Sequence, residues 1–136
     1  MTLWALLASP LFLGCDLQAL DDLTLRLVAN EEVLAIDQDP LGKQGYCVRE
    51  VRCGNGNGGA RTHQRIYAKP LADGSTAVGL FNIADEPAEI TLDFADLDLV
   101  GSHPVRNVWT KTDMGSASRE LRTDIPAHGA RLFLIR

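Results

Sequence analysis

The chain has 136 residues, of which 46% are hydrophobic and 23% charged, the balance of a globular domain with its own core and not of a disordered segment. Its formal net charge of −5 argues against nucleic acid or an anionic membrane surface as a partner, since both call for a cationic face. Three cysteines and three scattered histidines, at 63, 103 and 128, provide no Cys-x-x-Cys pair and little basis for a metal site.

Residues 4–9 read as the end of a helix, which Pro10 stops because proline lacks an N–H and clashes with the preceding turn. Leu11, Phe12 and Leu13 form a short apolar run, the pattern of a strand buried on both faces, and Asp16 follows at its carboxyl end. Helix, buried parallel strand and polar strand end, with another helix to follow, make one unit of an α/β barrel. One unit is not a barrel, so the chain reads as the end of a larger protein. The same stretch has the apolar length of a secretory leader, but no Lys or Arg precedes it, the first cation is Arg26, and Pro10 sits in its middle. No convincing signal peptide is read here, and the location of the protein stays open. A transmembrane helix needs about 20 apolar residues, and Asp16 comes too soon.

Residues 16–29 read as a helix. Asp21 and Asp22 favour its start, and Leu20, Leu23, Leu27 and Val28 form one apolar stripe. Asn30 is a stop and also the N-cap of a second short helix, with Glu31 and Glu32 in its first turn and Val33, Leu34 and Ile36 packing inward. Asp39-Pro40 ends that helix, and residues 41–45, rich in glycine, mark a domain boundary.

From Tyr46 onward the period changes. Tyr46, Val48 and Val51 suggest a strand, followed by a glycine- and asparagine-rich loop at residues 53–59. A phosphate cradle would require a helix after that loop, whereas residues 61–69 read as strand. Residues 64–70 and 76–83 flank an Asp73-Gly74 hairpin turn. Ile90, Leu92 and Phe94 alternate with Thr91 and Asp93 as a half-buried strand, and residues 95–102 form a loop. Residues 105–109 form another strand, with Trp109 on the face of Val105. Asp113-Met114-Gly115 turns the chain, and residues 121–125 and 130–135 close it. About seven strands with turns at short intervals are the signature of an antiparallel sandwich.

Few residues stand out as chemistry. Asp16 sits where barrel active sites lie, although capping the following helix accounts for it as well. Asp37, Asp39 and Lys43 fit hydrogen bonding within a linker. Trp109 and Tyr67 have the faces to stack on sugars, but aromatics are only 6% of the chain and form no platform, so core packing is the plainer reading. Cys15 reads as a buried free thiol. Cys47 and Cys53 either close a small hairpin disulfide or are two unpaired strand residues.

Three blocks in fixed order carry a resemblance. WALLASPLFLGCDL at residues 4–17, NEEVLAIDQDPLGKQG at 30–45 and KPLADGSTAVGLFN at 69–82 resemble the last barrel strand, the linker and a C-terminal hairpin of glycoside hydrolase family 27, the α-galactosidases or melibiases. The resemblance implies hydrolysis of terminal α-galactosides by the intact enzyme, with retention and without a cofactor. A sister activity on N-acetylgalactosaminides stays open. The family's nucleophile, acid/base and sugar-contacting residues lie N-terminal to the matched region. No catalytic, cofactor-binding or metal-binding residue is therefore carried over to this chain.

The expectation is a mainly β chain. Residues 1–42 are the incomplete C-terminal end of a TIM-barrel glycosidase domain, and residues 43–136 are an antiparallel two-sheet β-sandwich. The galactoside is a substrate of the intact enzyme only, and the alternative is a stand-alone accessory or carbohydrate-binding module. Residues 6–13 should leave an exposed apolar patch through which the chain associates, and trimming to about residue 42 should improve its behaviour.

Overall fold

A computed structural model of the chain describes residues 1–53 and 62–136. The glycine-rich loop expected at 53–59 falls, beyond Cys53, outside the described residues. Among those described there are three helices, α1 (Thr2–Leu6), α2 (Asp22–Val28) and α3 (Glu31–Asp37). Eight strands follow: β1 (Tyr46–Cys53), β2 (Thr62–Pro70), β3 (Thr76–Asn82), β4 (Ala88–Asp93), β5 (His103–Asn107), β6 (Thr112–Ala117), β7 (Glu120–Ile125) and β8 (Ala130–Ile135). They form two antiparallel sheets, a six-stranded one ordered β1-β2-β3-β8-β5-β6 and a two-stranded one of β4 and β7. The sandwich expected from alternation and turn spacing is present, and residues 64–82 are strand and turn throughout.

The large sheet is covered on both faces. Because side chains alternate along a strand, Ile66, Ala68, Val78, Leu80, Phe133 and Ile135 point to one face. There they meet Ile90, Leu92, Leu121 and Ile125 of the small sheet. The intervening residues, Ala77, Leu132 and the half-buried Tyr67, Phe81 and Leu134, point to the other face and meet Ala5 and Leu6 of α1 and Val33 and Ile36 of α3. The result is three layers: small sheet, large sheet and helices.

Local chemistry fixes the joins. The Asp73 carboxylate accepts hydrogen bonds from the Ser75 amide at 2.9 Å and hydroxyl at 2.5 Å, while Gly74 takes the left-handed φ of 85° that this turn needs. Asn82, 1% exposed, donates to the carbonyls of Glu86, Ile125 and Pro126 and accepts from the Ala84 amide, which clips the end of β3 to the small sheet. Asn30 caps α3 through the amides of Glu32 and Val33, as its sequence position predicts, and donates to Val108 O at 3.4 Å.

Several sequence expectations are corrected. Residues 11–13 form no strand, because no neighbouring strand takes up their backbone groups. Leu6 does not belong to an exposed patch but is fully buried. The helix expected over 16–29 splits into a 3-10 turn, Leu17–Ala19, and α2, with Asp21 capping α2 through the Thr24 amide at 2.6 Å. Cys15 is exposed, not buried. Cys47 and Cys53 lie on the same strand, β1, not across a hairpin. Residues 112–117 are the strand β6, not a turn. The strand is exposed along nearly its whole length, so it carries no apolar alternation to read. Trp109 belongs to the turn after β5, not to the strand. Trimming at residue 42 would remove α1 and α3, which cover one face of the large sheet.

The approach of α1 to the sheet is close enough to test. The Gly45 amide donates to Leu6 O at 2.7 Å, and a Cβ at Gly45 would stand 2.7 Å from that oxygen and 3.1 Å from Ala68 O. Both obstacles are backbone, which cannot swing aside. Gly45→Ala is expected to cost about 1–3 kcal/mol, read as a lower urea midpoint with an unchanged m-value.

Candidate functional site

Two features of the surface are built well enough to act on something else. The first is a cleft of about 620 Å³ between α3, the β2–β3 turn and the β5–β6 end of the large sheet. Its charged rim is Glu32, Asp39, Asp73, Asp113, Arg106 and Arg136, over an apolar floor that includes Ile36, Leu71 and Val108. Arg106 projects from β5 and grips Glu32 of α3 in a two-point pair, Nε to Oε2 at 2.9 Å and Nη2 to Oε1 at 2.8 Å. Its remaining nitrogen, Nη1, meets Asp113 Oδ1 at 2.8 Å. That hydrogen-bonded guanidinium holds the Glu32 carboxyl below the usual glutamate range, and Glu32 in turn stabilises the charged guanidinium. The Ser75 hydroxyl and amide lower the Asp73 carboxyl in the same way.

The sequence candidates are dispersed. Asp16 is exposed and caps the 3-10 turn through the Gln18 amide at 2.9 Å. Asp39 accepts from the Leu41 amide and, with both oxygens, from the Ala72 amide at 3.0 and 3.2 Å, which ties the linker to the β2–β3 turn. Lys43 is exposed. Asp37 closes α3 with its Oδ1 buried and unpartnered, and burial pushes its carboxyl up against the opposing pull of the Lys69 charge. Trp109 donates its indole N–H to Thr2 Oγ1 at 2.9 Å and packs on the helix-side core. Tyr67 meets Phe81 edge to face at 5.9 Å. His63 pairs with Glu50, which also receives Arg52 and Arg65 and falls to about 2 through the hydrogen bonds from His63, Arg65 and Arg52. Among the described residues no group of three or more His, Cys, Asp or Glu side chains is placed to hold a metal ion.

A retaining glycosidase needs two carboxylates about 5 Å apart, with one kept protonated near neutral pH. In the cleft Glu32 and Asp73 are both held towards the charged form. The one carboxyl shifted upward, Asp37, does not line the cleft.

The second feature is apolar. Phe12 is 81% exposed, Leu23 68% and Leu17 62%, and Trp4, Leu13, Leu25 and Leu27 are also exposed. All come from residues 1–29. A groove of about 170 Å³ runs among Met1, Trp4, Phe12, Leu13, Val28 and Leu34. Among the described residues no helix is long and apolar enough to cross a membrane. Of the stripe expected at Leu20, Leu23, Leu27 and Val28, Leu20 lies outside α2, and Leu23 and Leu27 are left exposed among the described residues.

Two charged residues that organise the molecule escape the sequence reading. Arg106, between Val105 and Asn107, looks like any outward-facing strand residue. Lys69 does carry a signal: period two puts it on the same face as Tyr67 and Leu71, which is the face of a core.

Residues 62–135 match the family described as the α-galactosidase C-terminal β-sandwich domain. The chain is 42% identical to a probable α-galactosidase of Dictyostelium discoideum over 138 residues, covering 98% of this chain and 34% of that protein. It superposes on the crystal structure of α-galactosidase I from Mortierella vinacea with a TM-score of 0.84 and 30% identity, covering 98% of this chain and 33% of that one. It also superposes on a GH27 β-L-arabinopyranosidase from Geobacillus stearothermophilus, with a TM-score of 0.79 and 28% identity over 98% of this chain and 28% of that one. The chain thus spans about a third of the length of the curated relative, and the matched portion is the C-terminal part.

The Glu32–Arg106 pair makes a testable statement about pH. Glu32 is lowered in the fold, so its contribution is present above the ordinary glutamate value of 4.5 and is lost as pH falls through the lower folded value. Glu32→Gln is expected to cost about 1 kcal/mol at pH 7, with the gap to the parent narrowing at pH 3. Urea titrations at the two pH values check this, and an equal gap at both would contradict it.

Proposed function

The chain belongs to the family of α-galactosidase C-terminal β-sandwich domains, and on that premise we propose that it is the supporting part of a retaining glycoside hydrolase acting on terminal α-D-galactosides. In this reading residues 1–42 finish the barrel domain and residues 43–136 are the sandwich. The nucleophile and the acid/base reside on barrel strands that this chain does not carry. The observation that supports this most directly is the apolar face of residues 1–29, with Phe12, Leu17 and Leu23 each more than half exposed. Such a face fits burial against further barrel elements. The sandwich core, by contrast, is closed on itself.

The part played in turnover is mechanical. The barrel must hold two carboxylates on opposite sides of one anomeric carbon, and an open barrel cannot keep that geometry. The chain supplies the closing elements and anchors them to a rigid sheet. The choice of sugar belongs to the barrel. A β-L-arabinopyranoside is an α-D-galactoside without its hydroxymethyl group, and a relative named for that sugar carries the same C-terminal part. A sugar-binding module is a weaker reading, because Trp109 and Tyr67 are engaged with Thr2 and Phe81.

Two outcomes test the proposal. Alone, the chain should self-associate through its apolar face, and Phe12→Glu with Leu23→Glu should return it to a monomer by sedimentation. Alone, it should also turn over no chromogenic α-galactoside above buffer, since loss of the carboxylates removes several orders of magnitude in rate. Adding the separately produced barrel portion of the amoebal relative should restore hydrolysis. Turnover by the chain alone that disappears in Asp16→Asn, Asp37→Asn or Asp39→Asn would put the active site within residues 1–136 and overturn the reading.

A further inference from the structure

Lys69 lies on β2, is fully buried, and points out of the sandwich into the helix layer. Its ammonium donates to Ala5 O at 3.2 Å, to Asp37 O at 3.2 Å and to Ile36 O. Ala5 is in the last turn of α1, and Ile36 and Asp37 end α3. The last carbonyls of a helix lack the usual amide four residues on and carry the negative end of the helix dipole, although Ala5 O also accepts from the Ala8 amide at 3.3 Å. Two such ends converge here on one cation.

We propose that Lys69 is a charge latch: its single buried ammonium caps the C-termini of α1 and α3 together and so locks the helical segment, residues 2–37, onto the centre of the large sheet. The alignment of a lysine's three donors with three carbonyls from two helices accounts for its burial without a bonded carboxylate partner. The charged groups that face it are few. Asp37 and Asp39, on and just after α3, act on the ammonium through space. The flanking stretches of α1 and β3, Thr2–Leu6 and Thr76–Asn82, carry no ionisable side chain. Other ties between the layers differ in kind. Asn30 to Val108, Trp109 to Thr2 and Glu32 to Arg106 each join one helix, or the residue at its start, to the sheet. Lys69 alone among these joins both helices at one point. The inference does not depend on the enzyme proposed above. If the chain does serve there, the latch sets the angle between the barrel end and the sandwich.

The test compares two chemical forms of one variant of the full chain. Lys69→Cys is alkylated in denaturant either with 2-bromoethylamine, which restores an ammonium at the length of lysine, or with 1-bromopropane, which builds a neutral chain of the same length. The other cysteines are alkylated in both forms, and the parent chain treated with each reagent is the reference. After refolding, amide hydrogen exchange is followed by mass spectrometry. The aminoethyl form is expected to protect α1 and α3 as the parent does. The propyl form should exchange those amides at least about 10-fold faster while β3 and β8 stay within roughly 2-fold. Equal behaviour of the two forms, whether protected, exposed or unfolded, overturns the proposal. So does a loss in the propyl form that spreads evenly over β3 and β8, global unfolding included.

Discussion

The structure depends on one sheet having no free face. β3 shows the constraint most clearly, since five of its seven residues are buried. Val78 and Leu80 belong to the core shared with the small sheet, and Ala77, between layers, belongs to the core shared with the helices. A slip of one residue in the pairing of β3 with β8 would exchange the two sets and fit neither core. Even the missing side chain at Gly79 is part of this arrangement, because a Cβ there would stand 2.5 Å from Leu6 Cδ1. The helical segment before residue 40 is therefore half of the sheet's cover, and the sandwich is built around it.

That arrangement explains where the polar groups go. Three layers leave polar atoms stranded at each junction, and burying them unpaired would cost about 1–3 kcal/mol each. Asn82 is satisfied at the junction of the two sheets, Asn30 and Lys69 at the junction with the helices. Arg49 of the edge strand β1 reaches Asp96 at 3.3 Å and the Thr91 carbonyl, closing the open side of the sandwich. The acids around the cleft are occupied in the same way. Glu32 is held by Arg106, Asp39 by the Leu41 and Ala72 amides, and Asp73 by Ser75. At Glu32 and Asp73 these contacts favour the ionised carboxylate, which is the form that holds layers together and the wrong form for giving up a proton to a leaving group. Asp37, away from the cleft, differs in having one buried oxygen unpartnered.

The apolar face at residues 1–29 stands apart from this economy. There α2 is capped by Asp21 and has a regular apolar stripe, so its local signals are complete, yet Leu23 and Leu25 lie open to solvent. A helix with good local chemistry and no cover among the described residues fits the surface that the proposed function requires. Residues 11–13 behave alike: their apolar run reads as a buried strand, but a strand exists only where another strand accepts its hydrogen bonds.

Read alone, the sequence determined what local rules govern. Period-two alternation placed β2, β3, β4, β7 and β8, the Asp73-Gly74 pair placed the turn between β2 and β3, and Asn30 marked the start of α3. Its three blocks in fixed order also resemble the family that residues 62–135 match. Tertiary structure decided what depends on a neighbour. It made β6 a strand, because an edge strand exposed along most of its length is recruited by β5 and leaves no pattern of its own. It put Leu6 in a core and Phe12 in solvent, although both belong to one apolar run, because Leu6 sits on α1, which packs on the sheet, and Phe12 lies beyond it. It turned Lys69 from an ordinary strand lysine into a buried cap for two helices, since the carbonyls it serves are 32 or more residues away in the chain and meet only when the layers close.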